Sequence, residues 1–194
     1  MKKIFIFALL FVLSACEAGQ SSSSNAPLVA TDITGAEFAK PFTLTDHTGK
    51  KRTMSDFAGK VVVLFFGYTH CPDVCPTTLN DLKSTMKLLG DQSNEVQVLF
   101  VTLDPQRDTQ EVLAKFVPSF DERFIGLWGS LQETAETMGH YKIYFSKVPG
   151  DSENNYTIDH SSGIYVFDKT GKVRYYMGYG QKPPDMASDI KKLL

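Results

Sequence analysis

Cysteine is scarce in this chain, at three in 194 residues. That is too few for a small domain stapled by disulfides and too few for a four-cysteine zinc site. An excess of either charge is missing as well. Twenty basic residues face 22 acidic ones, so nucleic-acid binding has no electrostatic support. The unbroken apolar run from Ile4 to Leu13 has ten residues, where a membrane-spanning helix needs roughly 20. No internal repeat is visible. Aromatic residues, by contrast, are plentiful: 14 Phe and 8 Tyr exclude a disordered chain, and the length fits one globular domain.

Three is also an odd number, so the cysteines cannot all do the same job. Met1-Lys2-Lys3 followed by the apolar run reads as a secretory signal. The next residues, Leu13-Ser14-Ala15-Cys16, resemble a bacterial lipobox. That resemblance implies a signal peptide over 1–15, lipidation of Cys16, and a membrane anchor on the extracytoplasmic side, periplasmic or at the surface. Glu17 rather than Asp after Cys16 leans toward the outer membrane where that sorting rule applies. Loss of residues 1–15 removes two lysines and no acid, which takes the net charge from −2 to −4. Residues 16–40 are rich in Ser and poor in apolar side chains, and read as a flexible tether spanning roughly 25–30 Å.

Residues 41–194 alternate between strand and helix signals. Phe42–Leu44 and Arg52–Met54 flank a turn, and Val61–Phe66 is a β-branched and aromatic run suited to a central strand buried on both faces. Pro76–Leu89 carries Leu79, Leu82, Met86 and Leu89 at helical spacing. Val96–Leu103 is a second buried strand, Asp108 reads as the N-cap of a helix running to Phe116, and Phe124-Ile125 is a short third strand. Leu131–Met138 is helical. Tyr156–Ile158, Ile164–Phe167 and Val173–Tyr176 are strands, with Asp168–Gly171 as a hairpin turn, and Met186–Leu194 is a closing helix. The order predicts a single α/β domain with a central mixed sheet flanked by helices.

The other two cysteines stand in Thr69-His70-Cys71-Pro72-Asp73-Val74-Cys75-Pro76, between the strongest strand and a helix. Ligand and redox sites favour that end of a central strand, and a helix N-terminus stabilises thiolate. The C-x-x-x-C spacing is wider than the C-x-x-C of thioredoxin-type redox pairs. Each Pro pushes the preceding cysteine toward extended backbone, so both cysteines are expected on a loop with Pro76 as the first helical residue. Such a loop could close a disulfide or open around Cu(I) or Zn(II), which soft thiolates prefer, with a further ligand from elsewhere. His47, His70, His140 and His160 are the available imidazoles, and spacing does not choose among them. Met138, Met177 and Met186 are better read as packing residues than as soft ligands.

Three segments together resemble the Sco/SenC family of thioredoxin-fold proteins associated with copper delivery to cytochrome c oxidase. They are Cys71-Pro72-Asp73-Val74-Cys75-Pro76, then Leu103-Asp104-Pro105-Gln106-Arg107-Asp108-Thr109, then Asp159-His160-Ser161-Ser162. Gln110 stands where the family usually continues with Pro. The resemblance implies a thioredoxin-like fold and one copper ion per chain, as Cu(I) or Cu(II), on Cys71, Cys75 and His160. In an oxidising compartment the same Cys71 and Cys75 are also read as a redox disulfide pair. Asp73 and Asp104 are candidates to support the ligands, with Arg107 a possible partner of Asp104. The expected role is a metallochaperone rather than an enzyme. Its partner would be the oxidase subunit carrying the copper A site, or other periplasmic thiol or copper proteins. A periplasmic thiol–disulfide oxidoreductase, with oxidative-stress defence as its setting, is the alternative, since this fold hosts both.

Overall fold

The computed structural model describes residues 26–152 and 155–194. The signal segment 1–15, Cys16 and residues 17–25 lie outside the described residues. Along the described chain run β1 (Thr31–Asp32), β2 (Thr43–Asp46), β3 (Lys51–Thr53) and β4 (Val61–Gly67), then α1 (Val74–Leu89) and β5 (Val96–Thr102). There follow α2 (Gln110–Phe116), β6 (Ile125–Trp128), α3 (Leu131–His140), β7 (Phe145–Ser152) and β8 (Asn155–His160). Last come β9 (Ile164–Phe167), β10 (Val173–Met177) and α4 (Pro183–Lys191). Among the described residues no helix is long and apolar enough to cross a membrane.

The central sheet has the order β1-β10-β9-β4-β5-β6-β2-β3. It is mixed, as expected: β4, β5 and β6 run parallel, and β9 lies antiparallel on the other side of β4. Every residue of β4 and β5 is buried, because helices and loops cover both faces. Alternation splits β4 between two cores. Val61, Val63 and Phe65 meet Leu79, Leu82 and Met86 of α1 and Met186 and Ile190 of α4. Val62, Leu64 and Phe66 meet Tyr141, Tyr165 and Phe167. Met177 and Met186 are buried and Met138 packs on the second core, so the methionines are packing residues.

Three differences from the sequence reading have plain causes. The domain begins before residue 41. Thr31 and Asp32 pair with β10, the backbone N–H groups of Val29 and Ala30 donate to the buried Asp189 carboxylate, and Ile33, Ala36, Phe38 and Ala39 pack on the second core. Helix α1 starts at Val74, two residues before Pro76, which its first turn tolerates because an N–H there has no intrahelical partner. Strand β7 was not anticipated at all. Phe-Ser-Lys-Val-Pro-Gly-Asp-Ser has no apolar alternation and carries both Pro and Gly, yet it pairs with β8 as a two-stranded ribbon apart from the main sheet.

Candidate metal centre

Strand β4 delivers the chain at Gly67, buried between β5 and the first turn of α1. A Cβ at Gly67 would lie 2.9 Å from Cys75 Sγ and 2.8 Å from the Phe100 ring, so only glycine leaves room for that sulfur. After it come Tyr68, Thr69, His70 and Cys71. Cys71 sits half-buried on the loop, while Cys75 is inside the first turn of α1 and fully buried. Both are free thiols, and the backbone N–H of Cys75 donates to Cys71 Sγ at 3.3 Å.

The two thiols are electrostatically unequal. Cys71 is held down to about 5, first by a hydrogen bond from the Cys75 thiol, then against the cost of burial by the N–H groups of Cys75 and Asp73. The Cys75 thiol is pushed up, by donating to Cys71 and by its own burial. The pair therefore carries its thiolate on Cys71 and its proton on Cys75. The N–H groups of Asp73 and Cys75, at the start of α1, are those that a helix terminus leaves without carbonyl partners.

His160, the last residue of β8, completes the cluster. Its Nδ1 lies 2.8 Å from the Ser161 carbonyl oxygen. A carbonyl only accepts, so the proton of that contact is on Nδ1, and Nε2 is turned to Cys75 Sγ at 3.9 Å. Metal–sulfur and metal–nitrogen bonds of about 2.3 and 2.0 Å, meeting near 120°, would set sulfur and nitrogen roughly 3.8 Å apart. The donor set fits a soft or borderline metal ion. Among the described residues no three His, Cys, Asp or Glu side chains are already gathered around one point.

The other histidines are engaged elsewhere. His47 accepts the Gly126 N–H on Nδ1 at 3.0 Å, so it ties the β2–β3 turn to β6 rather than lying free in solvent. His70 is exposed, with Nδ1 3.6 Å from Asp108. His140 ends α3 and lines small surface cavities away from the thiols. Asp73 is exposed, flanks α1 and accepts from the Thr77 hydroxyl at 3.2 Å. Its side chain takes the helix-start position that a solvated acid favours.

Asp104 and Asp108 are buried carboxylates behind the site. Asp104 accepts from Arg107, as expected, and from the Tyr156 hydroxyl at 2.7 Å. Arg107 also donates to the Tyr156 carbonyl at 3.0 Å and stacks on its ring at 3.5 Å. Asp108 corrects the sequence reading. The cap of α2 is Thr109, whose hydroxyl accepts from the Val112 N–H, while Asp108 turns inward. It accepts from the Thr69 N–H at 2.9 Å, the Thr69 hydroxyl at 2.6 Å and the Thr102 hydroxyl at 2.6 Å. Asp108 thereby fixes the loop that leads to Cys71. An N-cap pattern one residue early concealed it, and no local signal marks a carboxylate for burial. Gly67 was missed likewise, since its role depends on what α1 brings alongside it, while Tyr68 is the apolar shield its place before the thiols implies.

Residues 30–194 match the family model described as SCO1/SenC. The chain belongs to the SCO1/SenC family. Bovine mitochondrial SCO2 homolog is 36% identical over 153 residues, covering 78% of this chain, and the chain spans only 58% of that protein's length. The solved structure of Bradyrhizobium japonicum ScoI with copper bound superposes with a TM-score of 0.74 at 37% identity, covering 80% of this chain and 98% of that one. A SCO1/SenC family lipoprotein from Bacillus anthracis superposes with a TM-score of 0.68 at 27% identity, over 79% of this chain and 93% of that one. The mixed sheet and its flanking helices are thus the thioredoxin-like fold of Sco proteins.

Proposed function

We propose that this Sco-family chain is a copper-binding metallochaperone, with Cys71, Cys75 and His160 as the ligands of one copper ion. The observation that carries this reading is the approach of His160 Nε2 to Cys75 Sγ, with Nδ1 committed to the Ser161 carbonyl. A ring N–H committed to a carbonyl in this way is what metal-ligating imidazoles ordinarily have. Two sulfurs suit Cu(I), and one imidazole adds affinity for Cu(II). The copper held by the Bradyrhizobium relative supports the choice of metal. The cargo's destination on this reading is the copper A subunit of a cytochrome oxidase. Lipidated Cys16 would hold the domain at the extracytoplasmic face of a membrane, a reading supported by the Bacillus lipoprotein relative.

The test is copper stoichiometry and absorption spectrum for the reduced wild type beside Cys71→Ala, Cys75→Ala and His160→Ala. The wild type should bind one equivalent. His160→Ala should weaken Cu(II) by at least a hundredfold while leaving the thiol redox equilibrium nearly unchanged. Equal Cu(II) binding by that variant would remove His160 from the site.

A second reading rests on the unequal thiols. A thiolate on half-buried Cys71 beside a protonated, buried Cys75 is an attacking and resolving arrangement for thiol–disulfide exchange. Metal-free protein, returned from disulfide to dithiol by dithiothreitol after each exchange, should then reduce a protein disulfide with turnover. A rate no greater than that of free dithiothreitol would eliminate this activity.

A further inference from the structure

We propose that the Tyr68 hydroxyl is a positioning group that fastens the histidine-bearing strand to the cysteine-bearing loop. The proposal rests on the Cys71, Cys75 and His160 site above and adds a residue to it. Tyr68 is buried three residues before Cys71. Its oxygen accepts the Ile158 backbone N–H at 3.1 Å, two residues before His160 on β8. The bond therefore runs from β8 to the segment that leads into the thiol loop, with the hydroxyl as acceptor. The ring completes the bracket, standing edge-on to the His160 imidazole with centroids 6.1 Å apart and an interplanar angle of 78°.

The ribbon explains why such a fastener matters. Strands β7 and β8 pair with each other and stand outside the eight-stranded sheet. Ile158 is the one described β7–β8 residue that is fully buried. Its N–H points away from β7 to Tyr68, so that bond runs from the ribbon to the body of the domain. Arg107 and Asp104 hold the ribbon at Tyr156, two residues further from the imidazole. Phenylalanine at 68 would keep the ring and its edge contact, and would lose the hydrogen bond from Ile158. The buried Ile158 N–H would then lack its acceptor.

Tyr68→Phe tests this in reduced, metal-free protein. Exchange of the Ile158 amide should quicken roughly tenfold, as expected for loss of one buried hydrogen bond. A residue that only filled space would not move it. With copper, the variant should hold Cu(II) about tenfold more weakly. Unchanged exchange at Ile158 would overturn the role of the hydroxyl. A measurement without any variant guards against misfolding: in tyrosine-labelled wild type, oxidising the cysteines should shift the Tyr68 Cζ resonance more than that of Tyr141, which touches neither cysteine. Equal shifts would overturn the proposal too. If instead wild-type protein fails to bind copper, the metal reading falls while the metal-free measurements still decide the role of Tyr68.

Discussion

The two halves of the candidate site are built in opposite ways. The thiol half is cut into the middle of the molecule. Cys75 is capped beneath by Gly67 and Phe100, Cys71 is fixed by backbone N–H groups, and the loop between them and β4 is tied down by the buried Asp108. The imidazole half hangs on a ribbon of two strands whose residues are mostly exposed. Side-chain bonds from Tyr68, Arg107 and Asp104 reach it from the domain. Local opening costs least where few apolar contacts are buried. Under the function proposed above, this contrast would divide the labour: two sulfurs in a rigid frame would keep hold of the metal, and one nitrogen could advance or withdraw, as binding and release both require.

The largest effect expected of this comparison lies in thiol reactivity. Cys71 is held to about 5 where a cysteine ordinarily sits at 9.0, and Cys75 is displaced upward. In reduced, metal-free protein, iodoacetamide should alkylate Cys71 at a nearly constant rate from pH 9 down to about 6, falling off as pH passes 5. Cys75 should stay slow throughout. Because the folded value lies below the unfolded one, Cys71 adds to stability most fully above pH 9, and that contribution declines as the pH falls and is gone below 5. Equal alkylation of both thiols with a midpoint near 9 would show that the thiol half is not preorganised.

Next in size is the loss of the anchor beneath that half. Asp108→Ala would leave the half-buried Thr69 N–H and the buried Thr102 hydroxyl without their acceptor. Removing such a carboxylate should cost about 3 kcal/mol, measured by urea unfolding, and lower Tm by roughly 6–12 °C. By contrast Tyr156→Phe removes one hydrogen bond to Asp104 at the ribbon. It should leave global unfolding within about 1 kcal/mol and speed amide exchange in β7–β8 about tenfold. A global loss at Tyr156 as large as that at Asp108 would break the distinction between a rigid and a loosely held half.

The same contrast governs what the sequence reveals. The thiol half rests on β4, α1 and β5, whose unbroken apolar runs and three-four spacing are strong local signals, so their existence and order are plain from the residues. Cys71 and Cys75 declare themselves by position. The ribbon has no comparable signal: Pro149 and Gly150 interrupt β7, and its partner offers little beyond Tyr156 and Ile158 facing inward. His160 therefore stands level with three other histidines until family resemblance singles it out, and spacing alone cannot reveal that its Nε2 meets Cys75. Asp108 was legible as an acid before a helix, but its turn inward depends on Thr69 and Thr102, which are 39 and 6 residues away. Burial of polar side chains is decided by tertiary neighbours, and a local pattern records none of them.

The smallest effect is expected at a position in neither half, which makes it the control for the others. Ser130 caps α3: its hydroxyl accepts the Glu133 N–H at 3.2 Å, and Glu133 returns a bond from the Ser130 N–H at 2.7 Å. Ser130→Ala should cost about 1 kcal/mol, as loss of a helix cap ordinarily does. Helix α3 gives no ligand, and it contacts neither the thiol loop nor the ribbon through any bond that holds them. Its loss should therefore add to that of Tyr156→Phe or Asp108→Ala without coupling, as separate sites do. The Cys71 alkylation profile and the exchange of β7–β8 amides should stay at wild-type values in Ser130→Ala. Were those to change with a mere 1 kcal/mol of global destabilisation, then general loosening, rather than the distinct construction of the two halves, would account for every effect above.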